Sequence, residues 1–143
     1  MEDKMNFQTF SLLFRCSKEF GHKRIHASGL SDTECMICGY LYTNEGCSQN
    51  DVVINMKMDK ATVAKALNSL ENKGLVTRSV DQEDRRKNIL HITEAGKEKT
   101  ASIIMIHDQW LNSIMEVLSE VEQKQFEGYC LRLISAAEKL LKD

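Results

Sequence analysis

The 143-residue chain contains no proline. Neither proline-rich linkers nor low-complexity runs nor internal repeats divide it, so nothing in the composition marks a flexible joint. Long apolar runs are missing as well. The longest aliphatic stretch is Ile103 to Ile106, far short of the ~20 residues that a bilayer-spanning helix needs, which argues against a membrane role. A charge excess of one sign is missing too: the formal net charge of −2 argues against a uniformly basic nucleic-acid binder. The five cysteines at 16, 35, 38, 47 and 130 are odd in number and scattered, unlike the dense, even framework of a small secreted domain, so structural disulfides are not expected. The start, MEDKMNFQTF, carries early acidic residues and no apolar stretch before a small-residue cleavage site, and a cytoplasmic location is expected.

The residues that are present are unevenly placed. Between Lys57 and Lys99 ten Lys or Arg stand against seven Asp or Glu, while the remainder of the chain is acidic. Inside that basic window Asp59 can cap a helix in which Val63, Ala66, Leu67 and Leu70 fall on one face. Ala61, Lys65 and Asn68 fall opposite. Gly74 can close it, because glycine adopts a left-handed backbone at no steric cost. Two segments rich in β-branched and apolar residues follow, Leu75 to Val80 and Lys87 to Ile92, and the charged stretch DQEDRR between them makes a hairpin with a basic tip.

Around this motif, apolar spacing predicts a first helix from about Met5 to His26. Ser31 with Glu34 forms a capping-box pattern for a second, to about Thr43. Ser48 can cap a third, to about Asn55. Thr93 opens a long fifth helix, and Ser119 with Glu122 caps a last one from about Glu120 to Lys142. The first and the last two helices carry more apolar surface than a small lobe could cover, so pairing with a second copy is expected.

The ordered set Leu30-Ser31, Ser48-Gln49, Asp59 to Val63, Leu70 to Val76, Asp81-x-x-Asp84-x-Arg86 and LHITEAG (Leu90 to Gly96) resembles the MarR family of winged helix-turn-helix transcription factors. The resemblance implies a mainly α fold with a small β wing (α+β winged helix), formed by residues 1–143 as one unit. The DNA-binding lobe would be 30–96, and segments 1–29 and 97–143 the dimerisation helices. It also implies a homodimer on double-stranded DNA with a pseudo-palindromic operator, recognition helices roughly 34 Å apart, and a repressor released by a small-molecule effector or an oxidant. No cofactor and no metal are expected. Two positions depart from the family pattern: Val53 stands where Ala is common, and Lys57 where Gly is common. A non-Gly residue in a left-handed turn costs roughly 1 kcal/mol, so a wider turn is expected there.

The candidate DNA contacts follow. An exposed helix side in the major groove would read bases through Lys60, Ala61, Thr62, Lys65 and Asn68, with Lys65 donating to guanine and Thr62 to a phosphate or base. Arg86 at the hairpin tip would enter the minor groove, where negative potential is enhanced, and Arg85 and Lys87 would meet phosphates. Ser48 and Gln49 at a helix start would add phosphate contacts. By family analogy Asp81 and Asp84 shape the tip, Asp84 pairing with Arg86 or Arg78. Resemblance alone places an effector pocket near helices one, two and five, with Phe14, Met36 and Trp110 in its wall, and an oxidant-sensing thiol at Cys16.

Two other readings compete. Cys35-x-x-Cys38 could serve a thiol oxidoreductase, although a zinc site would need a second ligand pair and a thioredoxin-like site a cis-proline. Alternatively the winged fold could be a protein-interaction module. His22 and His26, four apart on a helix, could in principle share a metal, and His91 and His107 carry no distinguishing context.

Overall fold

The computed structural model describes residues 5–142, so the first four residues of the segment 1–29 and the final Asp143 lie outside the described residues. Its order is α1 (Phe7–His26), α2 (Asp32–Thr43), α3 (Gln49–Met56), α4 (Lys60–Asn72), β1 (Val76–Val80), β2 (Asn88–Ile92), α5 (Glu94–Met115) and α6 (Glu120–Leu140). Two compact units result, Met1–His107 and Asp108–Asp143. The boundary falls inside α5, because the start of that helix and the end of α1 supply Ile103 and Ile25 to the same core as α2 to α4.

The helix starts are set by side chains that satisfy orphaned backbone N–H groups. Ser31, Ser48 and Ser119 each accept from the backbone three residues on, and Glu34, Asp51 and Glu122 each accept from the cap's own N–H, giving three reciprocal capping boxes. Thr93 Oγ1 accepts from Gly96 N at 3.0 Å and donates to Gly74 O at 2.8 Å, so one hydroxyl joins the start of α5 to the end of α4. Gly74 has φ +70°, as a helix-closing glycine should.

The expected wider turn between α3 and α4 is not formed. Lys57 itself takes the left-handed conformation, φ 53° and ψ 42°, and its N–H still bonds back to α3. The tight three-residue link is kept at the cost of strain, since Asp59 must reach its capping position.

In the first unit Ile37, Leu41, Val52, Val63, Leu67, Leu70 and Leu90 are fully buried. The hairpin pairs antiparallel, Val76 opposite Ile92 and Val80 opposite Asn88, and Ser48 bridges to Ile89 on the free edge of β2. The wing is thereby sewn to the start of α3. In the second unit α6 buries none of its residues within the chain, and Leu131, Leu133, Ile134 and Leu140 are exposed. The apolar residues Phe7, Phe10 and Phe14 of α1 are exposed in the same way.

Candidate nucleic-acid interface

Helix α4 is held on one side and bare on the other. Val63, Ala66, Leu67 and Leu70 are buried, whereas Lys60, Ala61, Thr62, Lys65 and Asn68 face solvent. Its start is rigid: Asp59 accepts from Thr62 N at 2.8 Å and from Thr62 Oγ1 at 2.6 Å. These two bonds hold the exposed Asp59 carboxyl below its usual range. The Thr62 hydroxyl proton is therefore directed to Asp59, which revises its expected role as a donor: what it leaves to solvent is an acceptor lone pair and a methyl group.

The hairpin tip is built by its acids. Asp81 Oδ1 accepts from Glu83 N at 2.8 Å, and Asp84 Oδ1 accepts from both Arg86 N and Arg86 Nε at 3.1 Å. The Arg86 side chain and backbone hold the Asp84 carboxyl low. Arg86 is thus aimed while its side chain stays 92% exposed. Arg85 and Lys87 are exposed beside it. Of the two partners expected for Asp84, the structure selects Arg86.

Arg78 is placed differently from the other candidate contacts. Its side chain is only 21% exposed and Nε sits 3.4 Å from Glu71 Oε2, an ion contact without hydrogen-bond geometry, since Nε and Nη2 are buried with no bonded partner. It braces β1 against the end of α4. Ser48 is turned onto Asp51 by its capping box, and Gln49 Oε1 is buried without a partner.

A cavity of about 290 Å³ lies among α1, α2 and α5, with Phe14, His22, Cys35, Met36 and Ile103 in its wall. Of the three residues that the resemblance assigned to an effector pocket, Phe14 and Met36 line this cavity, while Trp110 belongs to the other unit and is not among the lining residues. Cys38 is buried and Cys35 half-buried. Burial first, with neighbouring charges, pushes the Cys35 thiol up to about 12, and burial pushes Cys38 up to about 11. A reactive thiolate is favoured by the opposite shift. Cys16 is exposed on α1. The rings of His22 and His26 stack at 4.3 Å, and among the described residues no group of three or more His, Cys, Asp or Glu side chains could hold a metal ion. No described helix is long and apolar enough to cross a membrane.

Sequence reasoning missed the residues that brace the lobe. Lys73 Nζ donates to both oxygens of buried Glu34 and to Gly29 O, tying the end of α4 to the α1–α2 turn. The only sequence signal was a lone lysine before Gly74, indistinguishable from a solvated one.

A capped, solvent-facing helix beside a hairpin whose arginine is aimed by an aspartate defines a winged helix-turn-helix protein. Comparison with known proteins narrows this. Residues 28–87 match the model described as MarR family. The HTH-type transcriptional regulator BilQ of Clostridioides difficile is 31% identical over 60% of this chain and 58% of that one, so the chain spans less than two thirds of that relative's length. A crystal structure of MarR superposes with a TM-score of 0.85 at 26% identity, covering 98% of this chain and 96% of that one. S. aureus MepR in its DNA-binding conformation gives 0.76 at 27% identity, over 90% and 98%. The chain is thus similar to the MarR family over residues 28–87 and to a MarR structure over nearly all of its length.

Proposed function

We propose that the protein is a sequence-specific DNA-binding transcriptional regulator, acting as a repressor in the cytoplasm. The observation that carries this is the pairing, on one rigid lobe, of the bare face of α4 with the Asp84-aimed Arg86. Lys65 and Asn68 suit base edges in the major groove and Arg86 the minor groove. Support comes from the relatives, named as transcriptional regulators, and from the similar fold of MepR in its DNA-binding conformation. The working form is a homodimer on a pseudo-palindromic operator. The apolar side chains left bare on α1 and α6 favour a second copy as their cover, and two lobes would meet half-sites one helical turn apart. The cavity walled by Phe14 and Met36 is the place for an effector that releases the DNA, and exposed Cys16 the place for an oxidant.

The test is selection of duplexes from a random-sequence pool, followed by affinity measurements at several salt concentrations. Enrichment of a two-fold symmetric sequence, with log K falling linearly in log salt, is expected. Indifference to sequence would overturn the reading.

A further inference from the structure

The first turn of α4 carries a hydroxyl whose proton has a fixed direction. Asp59 divides its two oxygens between atoms of Thr62: Oδ1 accepts from the backbone N–H at 2.8 Å and Oδ2 from Oγ1 at 2.6 Å. The second distance is that of an O–H donating to an ionised carboxylate. A neutral cap on α1 gives the contrast. There the carboxamide of Asn6 takes both the N–H and the hydroxyl of Thr9 on one oxygen, and the hydroxyl contact opens to 3.2 Å. Helices α2, α3 and α6 reverse the order, with serine at the cap and the carboxylate three residues on. Asp59 is exposed, and its bonds to Thr62 hold its carboxyl below the usual range, so the lock persists at neutral pH. A hydroxyl has one proton and two lone pairs. With the proton committed, exposed Thr62 is left as an acceptor, whereas Lys65, further along the same bare face, is a donor only.

We infer that Asp59 sets base specificity as a positioning residue: by holding the Thr62 proton it makes Thr62 an acceptor-only probe that takes the amino edge of adenine or cytosine and rejects guanine. This rests on the DNA-binding reading above and deepens it, naming the class of base at one position of each half-site. The first residues of a recognition helix are those that reach base edges. In the major groove adenine N6 and cytosine N4 carry amino donors, while guanine shows only the acceptors O6 and N7. Against guanine the locked hydroxyl sets acceptor against acceptor and leaves both unpaired. A free hydroxyl would turn its proton round and bond guanine as readily. The discrimination therefore lies in the pair and not in Thr62 alone.

The experiment takes the duplex selected with the wild-type protein, changes each position to all four base pairs, and compares wild type with Asp59→Ser, Thr62→Val and Thr62→Ser at one salt concentration. The contacted position is the one whose profile Thr62→Val alters, and there wild type should penalise guanine by about tenfold. Serine at 59 still caps the helix, but its neutral hydroxyl does not compel the proton, so most of that penalty should vanish. Thr62→Val should lose the preference for an amino base, whereas Thr62→Ser should keep the guanine penalty and lose only what the methyl contributes. A cap with a merely structural role would weaken all duplexes alike and leave these ratios in place. A guanine penalty equal in Asp59→Ser and wild type, guanine favoured by wild type at that position, or a wild-type profile in Thr62→Val overturns the assignment. Absence of any selected sequence with the wild-type protein would instead defeat the DNA-binding reading, so the two failures are separable. Should Asp59→Ser melt early, the Thr62 variants decide: identical profiles for valine and serine overturn the assignment.

Discussion

Lys73 Nζ lies 2.9 Å from each carboxylate oxygen of Glu34, a residue only 4% exposed. Burial alone would raise this carboxyl, but hydrogen bonds from Lys73, Ser69 and Ser31 outweigh it and hold the group below its ordinary value of 4.5. A carboxyl depressed in the folded state contributes stability above its unfolded pKa and loses it as pH falls through the folded one. Lys73→Met should therefore cost about 2 kcal/mol at neutral pH, because it leaves a buried charge without its partner. The gap to wild type should close below pH 4.5. Urea titrations at pH 7 and pH 4 check both statements, and a gap independent of pH would contradict the second.

Gly96 sits where α5 passes over the α4–β1 turn. A Cβ there would collide with the carbonyl oxygen of Leu75 and lie 2.7 Å from Ile92 Cγ1. Since backbone cannot give way cheaply, Gly96→Ala should destabilise by about 1–3 kcal/mol, read as a lower urea midpoint. Gly39→Ala meets nothing within 4 Å and serves as the control.

Lys57 holds the one left-handed non-glycine backbone among the described residues. Removing its Cβ relieves that strain while adding freedom to the unfolded chain, so Lys57→Gly should gain about 0.5 kcal/mol. Thermal denaturation would reveal it as a small rise in midpoint, and a fall would mean that the lysine side chain contributes more than its strain.

Arg86→Ala and Lys65→Ala should separate the two grooves. Each should weaken the selected duplex by about 1–3 kcal/mol, but only Lys65→Ala should relax preference at a major-groove position. The loss in Arg86→Ala should depend on the A·T content where the wing lies. Binding by a panel of single-substituted duplexes distinguishes them.

At neutral pH the Cys35 and Cys38 thiols stay protonated, pushed up to about 12 and about 11. Iodoacetamide, which consumes thiolate, should label exposed Cys16 well before either, as peptide mass analysis over time would record. Early modification of Cys35 would restore the redox reading.

Much of the lobe was legible because its determinants are local. Asp59, Ser48, Ser31 and Ser119 announce their helices within three residues, and the period of Val63, Ala66, Leu67 and Leu70 fixes which side of α4 is free. The hairpin was legible to within a residue at its ends. What escaped depends on residues far apart in sequence: Lys73 with Glu34 and Arg78 with Glu71. Such pairings follow from how α2, α3 and the wing dock, which no local pattern encodes. Lys57 escaped for another reason. Its left-handed turn is disfavoured for its residue type, and the surrounding caps impose it.

The junction at Thr93 has a mechanical consequence. Its N–H bonds to Leu75 O at 3.0 Å and its hydroxyl to Gly74 O, while Gly96 lets the helix rest directly on that peptide. The exit of α4, the return strand and the root of α5 thus behave as a single hub with no slack. Any turning of the root of α5 would therefore load the exit of α4 and the entry to the hairpin at the same peptide.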